Sequence, residues 1–177
     1  FIINAKSLTL PPPNLPLIKG EEIHMLPIKP FKQSTGFCGP ACLKMALAYF
    51  GVAKTERELA KLSHAHPHRG TTNENMVKAA KKLGFNALLK DFSSLKEIKK
   101  YLDKKIPGIV DWFSHDEGHY SVVAGMDKKF IYLQDPELGK INKICLVTFQ
   151  RVWFDFEGNM LKKKQDIHIR HLIVVYP

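Results

Sequence analysis

Two periodicities divide the chain. From residue 38 to about 105, apolar positions recur every three or four residues; beyond 106 they fall in β-branched and aromatic runs cut by turn residues. The first helix should start near Cys38, with Pro40 in its first turn and Gly51 at its stop. It is apolar on nearly all sides, as a buried central helix must be. Thr55 and Glu58 make a capping box for a second helix running through Leu62. Thr72 caps a third, which carries Met76, Val77, Ala80 and Leu83 on one face and stops at Gly84. A short strand is expected over 85–90, and then Ser94 caps a lysine-rich fourth helix that ends before Pro107. Strands are expected at Ile106–Trp112, Tyr120–Met126, Phe130–Gln134, Cys145–Phe149 and Ile167–Tyr176. Helices first and strands afterwards predict an α+β fold, an N-terminal helical lobe packed on a C-terminal antiparallel sheet. The cleft between two such lobes is the natural ligand site.

Residues 1–30 break this pattern. Pro11, Pro12, Pro13, Pro16, Pro27 and Pro30 forbid regular helix and favour extended backbone. The division expected is a Pro-rich extended arm over 1–22 and one domain over 23–177, with Ile23–Ile28 as a short edge strand. A chain of 177 residues, 45% of them hydrophobic, can build that domain's core. Its longest apolar stretches, such as Leu172–Tyr176, are far too short to span a bilayer. The chain opens on Phe1 rather than Met, so membrane association through an upstream segment, the compartment and the oligomeric state stay open.

The net charge of +10 comes mostly from lysine pairs scattered along the chain and one triplet, Lys162–Lys164. No aromatic side chains interleave with them, so they read as a solvated basic surface and no nucleic-acid partner is expected. Three cysteines, Cys38, Cys42 and Cys145, leave at least one thiol free in a monomer, and Cys38-x-x-x-Cys42 alone is too little for zinc.

Position separates the thiols. At the start of a helix, unpaired N–H groups and the dipole favour the thiolate that attacks carbonyl carbon, which singles out Cys38. Cys42 lies one turn deeper, where burial favours the neutral thiol. Gln33 stands five residues ahead of Cys38, across Ser34-Thr35-Gly36. Its side-chain amide could curl back beside the Cys38 N–H, two donors for an oxyanion. Read alone, the segment favours Cys38 as a small core residue and Gln33 as a surface one.

The base comes from a hairpin. If Gly125 pairs with Lys129 across a three-residue loop, Val123 faces Ile131, Ser121 faces Leu133 and His119 faces Asp135. A carboxylate there holds one imidazole nitrogen and turns the other toward a nucleophile. Alone, His119 is equally a strand-edge residue and Asp135 a turn former ahead of Pro136.

The segment Gln33-Ser34-Thr35-Gly36-Phe37-Cys38-Gly39-Pro40-Ala41-Cys42-Leu43 resembles the active-site segment of the bacteriocin-processing cysteine peptidases, which cut leader peptides after a double glycine. The resemblance continues through Gly70-Thr71-Thr72, Ile106-Pro107-Gly108, Gly118-His119-Tyr120-Ser121 and Gln134-Asp135-Pro136, and covers roughly residues 23–155. It implies a papain-like fold with Cys38 as nucleophile, His119 as base, Asp135 as its orienter and Gln33 as oxyanion donor. It implies a peptide or protein substrate and no cofactor. No transporter segment or nucleotide-binding motif follows, so the chain is similar to a stand-alone relative, and double-glycine cleavage is not carried over. Acyl transfer by the same triad, or peptide binding without catalysis, stays open beside hydrolysis.

Other constellations weigh less. His64, His66 and His68 read as an exposed loop bent by Pro67 rather than a metal site. Glu74 and Asp111 show no pairing suited to acid–base work, His24, His168 and His171 read as surface or strand-face residues, and Trp112 and Trp153 as core or cleft wall.

Overall fold

Hydroxyl caps begin three of the helices. Thr55 closes a capping box with Glu58 at the head of α2 (Glu56–Leu62), Thr72 caps α3 (Asn73–Lys82), and Ser94 closes a second box with Glu97 on α4 (Leu95–Asp103). The helix ahead of them, α1 (Cys38–Tyr49), follows Phe37 and has no side-chain cap. Its middle is buried on all sides, from Ala41 through Leu47 except Lys44. The computed structural model describes residues 25–115, 117–156, 158 and 160–177. The expected Pro-rich arm and His24 lie outside them.

Among the described residues, eight strands follow the helices or interrupt them. They are β1 (Asn86–Lys90), β2 (Gly108–Ser114), β3 (Glu117–Met126), β4 (Phe130–Asp135), β5 (Lys140–Cys145), β6 (Phe154–Phe156), β7 (Ile167–Ile169) and β8 (Leu172–Tyr176). Six of them form a sheet in the order β1-β8-β2-β3-β4-β5, with every neighbour antiparallel, and β6 pairs with β7 separately. The core lies between α1 with its neighbouring helices and the inner face of this sheet. It joins Leu43, Met45 and Leu47 to Met76, Ile109, Val122, Leu133 and Val174. No described helix is long and apolar enough to cross a membrane.

Three expectations are corrected. Cys145–Phe149 is not a strand: β5 ends at Cys145 and α5 (Leu146–Val152) begins. The run is apolar, but Phe149 and Trp153 stand one helical turn apart and stack at 5.0 Å, both buried, so the helical period wins. Ile167–Tyr176 is two strands in two sheets, because Arg170 takes a left-handed conformation, φ 53°, and turns the chain between them. Of Ile23–Ile28, residues 25–28 are described and form no strand; the Leu26 N–H instead donates to the Ala124 carbonyl at 2.7 Å.

That carbonyl belongs to a β-bulge. Between β3 and β4 the ladder runs Met126↔Ile131 and Gly125↔Tyr132, skips Ala124, and resumes at Val123↔Leu133 and Val122↔Gln134. The register expected from the sequence, with Val123 facing Ile131, is therefore wrong by two residues. The turn also sits elsewhere than expected, over 127–129: the Asp127 N–H donates to the Phe130 carbonyl, and Asp127 Oδ1 accepts from the N–H groups of Lys129 and Phe130 at 2.7 Å each.

Candidate active site

The loop before α1 is shaped by one glycine. The Phe37 N–H donates to the Ser34 carbonyl at 3.0 Å, closing a turn in which Gly36 alone has positive φ, 74°. That is the third position of a type II turn, which favours glycine. A Cβ there would also run into the Pro67 carbonyl. Ser34 fastens the turn to α2, its N–H and hydroxyl donating to Glu56 at 2.9 and 2.6 Å. The chain enters α1 directly from this turn. With no cap, the N–H groups of the first helical turn keep their donors free of side-chain acceptors. Cys38, half-buried, occupies that first position.

On the sheet, His119 and Asp135 are 3% and 2% exposed. His119 Nε2 lies 2.9 Å from Asp135 Oδ1. Asp135 Oδ1 also accepts from the N–H groups of Glu137 (3.0 Å) and Leu138 (3.4 Å), and its Oδ2 from Asn142 Nδ2 (3.2 Å). Burial alone would raise the Asp135 carboxyl, but the His119 hydrogen bond and charge, with these donors, hold it below its ordinary value.

His119 interacts with the Cys38 thiol as well as with Asp135. Since Nε2 serves the carboxylate, Nδ1 is the nitrogen left for sulfur. Burial lowers the imidazole's proton affinity. The hydrogen bonds to Asp135 and Cys38 and their charges outweigh it and push the pKa up to about 10. Trp112 sets its ring edge-on to His119, centroids 5.9 Å apart, and its Nε1–H donates to Ser121 Oγ at 3.1 Å. Cys42, in the same helix but fully buried, is pushed well up by burial and by the charges of Cys38 and Asp135. The three cysteines are free.

Gln33 is tied to the same turn as Asp135. Its N–H donates to the Pro136 carbonyl at 2.8 Å, and its side-chain Oε1 is buried without a hydrogen-bond partner. A buried carboxamide oxygen without a donor is unusual, because buried polar atoms are nearly always bonded.

The structure thus brings Cys38, His119 and Asp135 together and docks Gln33 on the Asp135 turn. Sequence reasoning missed Asn142, whose strand β5 went unread, and the support that Trp112 and Ser121 give His119. Pairing β2 with β3 would have revealed it, since Trp112 stands opposite His119. His64, His66 and His68 are exposed. One reading is corrected: His171 is buried rather than superficial. Asp111 is buried beside Asn73, whose Nδ2 donates to it at 2.6 Å.

A cysteine at the head of a buried helix, facing a histidine and an aspartate on an antiparallel sheet, belongs to the papain-like cysteine peptidase fold. Residues 31–161 match the Peptidase C39 family, and the chain belongs to that family. An uncharacterized protein of Methanothermobacter thermautotrophicus is 35% identical over 125 residues, covering 70% of this chain and 79% of that one. The Lactococcin-G-processing and transport ATP-binding protein LagD of Lactococcus lactis subsp. lactis is 32% identical over 124 residues, 70% of this chain but 17% of that protein. The solved peptidase domain of Streptococcus ComA, a bi-functional ABC transporter of a quorum sensing pathway, matches with TM-score 0.67 at 26% identity, covering 85% of this chain and 98% of that domain.

Proposed function

We propose that this chain hydrolyses a peptide bond in a peptide or protein substrate, with Cys38 as nucleophile, His119 as acid and base, Asp135 as its orienter and Gln33 in the oxyanion hole. The observation that carries the reading is the buried His119 Nε2 to Asp135 Oδ1 contact of 2.9 Å, which leaves Nδ1 for the sulfur at the uncapped start of α1. The Cys38 thiolate attacks the scissile carbonyl carbon, and the negative oxygen that forms is met by the Cys38 N–H and the Gln33 carboxamide. Collapse of this intermediate breaks the C–N bond as His119 Nδ1 gives its proton to the departing amine. Water then attacks the thioester, His119 takes a proton from it, and the carboxylate product leaves with the thiol restored.

Asp135 keeps Nε2 protonated and aims the ring throughout. Its own proton affinity is held down, so it stays a carboxylate. Membership of a peptidase family supports the reaction class, and the Lactococcin-G-processing role in LagD's name supports a peptide substrate.

The test is labelling with iodoacetamide near neutral pH, followed by mass mapping, alongside a peptide-library digest. Wild type should be modified first at Cys38 and should cleave peptides, and Cys38→Ala should do neither. Preferential labelling at exposed Cys145 with Cys38 untouched, or cleavage surviving in Cys38→Ala, overturns the assignment. Added amines appearing in the product would transfer the reading to acyl exchange.

A further inference from the structure

A second polar cluster takes no part in that chemistry. Asp111 in β2, His168 in β7 and His171 just ahead of β8 each present one ligand atom, all within 4.8 Å of one another. Asp111 is 2% exposed and His171 8%, so the cluster is internal. The two imidazoles stack with centroids 4.7 Å apart. They come from either side of the Arg170 turn that separates the two sheets, and β2 supplies the carboxylate. Three segments distant in sequence converge on one point.

The hydrogen bonds show which atoms face that point. Asn73 Nδ2 donates to Asp111 Oδ2 at 2.6 Å and stands 3.0 Å from His171 Nδ1. An amide nitrogen can only donate, so His171 Nδ1 carries the lone pair and Nε2 the proton. Nε2 in turn lies 3.0 Å from Asp91 Oδ1. A neutral imidazole, backed by a carboxylate and offering its lone pair inward, is the arrangement that metal-ligating histidines adopt.

The acceptors outnumber the donors. Asp111 Oδ1 and Asn73 Oδ1 are buried and receive no hydrogen bond. Buried acceptors left in this way are costly unless a donor or a cation compensates them. Asn73 Nδ2 now supplies a single donor where two ligand atoms converge. Turning that carboxamide over would present Oδ1 in its place.

We propose that Asp111, His168 and His171 bind one divalent transition-metal ion, zinc being the species their nitrogen and oxygen donors suit, with the Asn73 carboxamide turned to face it. Three such donors, with the Asn73 carboxamide oxygen as a fourth, match zinc coordination in kind and number. The ion would tie the β7–β8 corner to β2, the strand whose Trp112 supports the His119 ring. It would act as a brace and leave hydrolysis to the cysteine.

The experiment uses the full chain carrying Cys38→Ala, so that no thiolate beside His119 competes for metal. Titration calorimetry with zinc chloride should give one equivalent bound. At free zinc about a hundred times the dissociation constant, Tm should rise by about 5–10 °C. His168→Ala, at a half-buried position, should weaken zinc by about 100-fold or more while circular dichroism stays unchanged. Asp91→Asn, an exposed change to the group behind His171, should weaken it by about 10–100-fold. No stoichiometric zinc in the Cys38→Ala chain overturns the site. So does zinc that survives His168→Ala but disappears on replacing His66 and His68 in the exposed loop.

Discussion

Replacing Asp135 separates two jobs that its carboxylate performs, and the geometry says how much each is worth. In Asp135→Asn, the new carboxamide oxygen must stay where Oδ1 is, because three donors converge there: His119 Nε2, Glu137 N and Leu138 N, at 2.9, 3.0 and 3.4 Å. The new NH2 falls at Oδ2, where Asn142 can turn its own carboxamide to accept. His119 therefore keeps its tautomer and its aim, and what disappears is the negative charge. A hydrogen bond to a charged group is worth about 1.5–3 kcal/mol and a neutral one about 0.5–1.5. The difference of roughly 1–1.5 kcal/mol corresponds to about tenfold in kcat/KM. Asp135→Ala removes the anchor as well and puts the positioned acid–base itself at stake, a contribution of about 10²–10⁴.

The pH profile separates the cases further. Burial works against a charged His119, and the Asp135 hydrogen bond is the first of the contacts that push it up to about 10. A raised imidazole pKa keeps the imidazolium present up to that pH, and the alkaline limb of kcat/KM reports its loss. Without the carboxylate charge the limb should move to lower pH, by about one pH unit if the same 1–1.5 kcal/mol is lost. Steady-state kinetics on a cleaved peptide across pH 5–11 measures both effects. Equal losses in Asp135→Asn and Asp135→Ala, or an alkaline limb that stays in place, would refute the reasoning.

Three further changes test other parts. Gln33→Ala should lower kcat by about 10²–10³ with KM nearly unchanged, as the loss of one oxyanion donor does, read from peptide hydrolysis. Gly36→Ala puts a side chain at φ 74° and against the Pro67 carbonyl; about 1–3 kcal/mol should be lost, visible as a lower urea midpoint. Phe149→Ala removes a fully buried ring stacked on Trp153. About 3–5 kcal/mol should go, a fall in Tm of roughly 6–20 °C by calorimetry, with the Cys38 labelling rate retained at low temperature.

What the sequence disclosed was mostly local. The Thr55–Glu58 box, the Thr72 and Ser94 caps and the Gly84 stop are short-range devices, and each helix begins where its cap predicts. The α1 start was legible for the opposite reason: Phe37 cannot cap, yet Pro40 and the apolar run fix a helix there. The errors arose where tertiary contacts decide. Leu146–Val152 is apolar enough for strand or helix, and the burial of Phe149 and Trp153 in one layer selects the helix. Arg170 carries no residue-type signal for a left-handed turn, so the corner that brings His168 near His171 was invisible. Asp111 shows its importance only through Asn73, 38 residues away.

The His119–Asp135 contact was reached through a wrong register, and the reason it survives is arithmetical. Side chains alternate faces with period two, so a slip by an even number of residues leaves a face intact and an odd one reverses it. Near the turn, Met126↔Ile131 and Gly125↔Tyr132 differ from the expected pairing by three, which alone would put His119 and Asp135 on opposite faces. The bulge at Ala124 takes one residue back. The net slip beyond it is two, and His119 becomes the diagonal neighbour of Asp135 on the same face, within reach of an aromatic side chain. Deleting Ala124 should therefore be tolerated by the site: Gly125↔Tyr132 would run straight into Val123↔Leu133, and every pair beyond would keep its partner. The expected cost is the Leu26 to Ala124 hydrogen bond, about 0.5–1.5 kcal/mol in a urea titration, with peptide hydrolysis within about tenfold of wild type. Inserting one alanine after Val122 should instead turn His119 to the other face and abolish both hydrolysis and preferential Cys38 alkylation. A deletion as damaging as the insertion would mean that the bulge does not set which face His119 occupies.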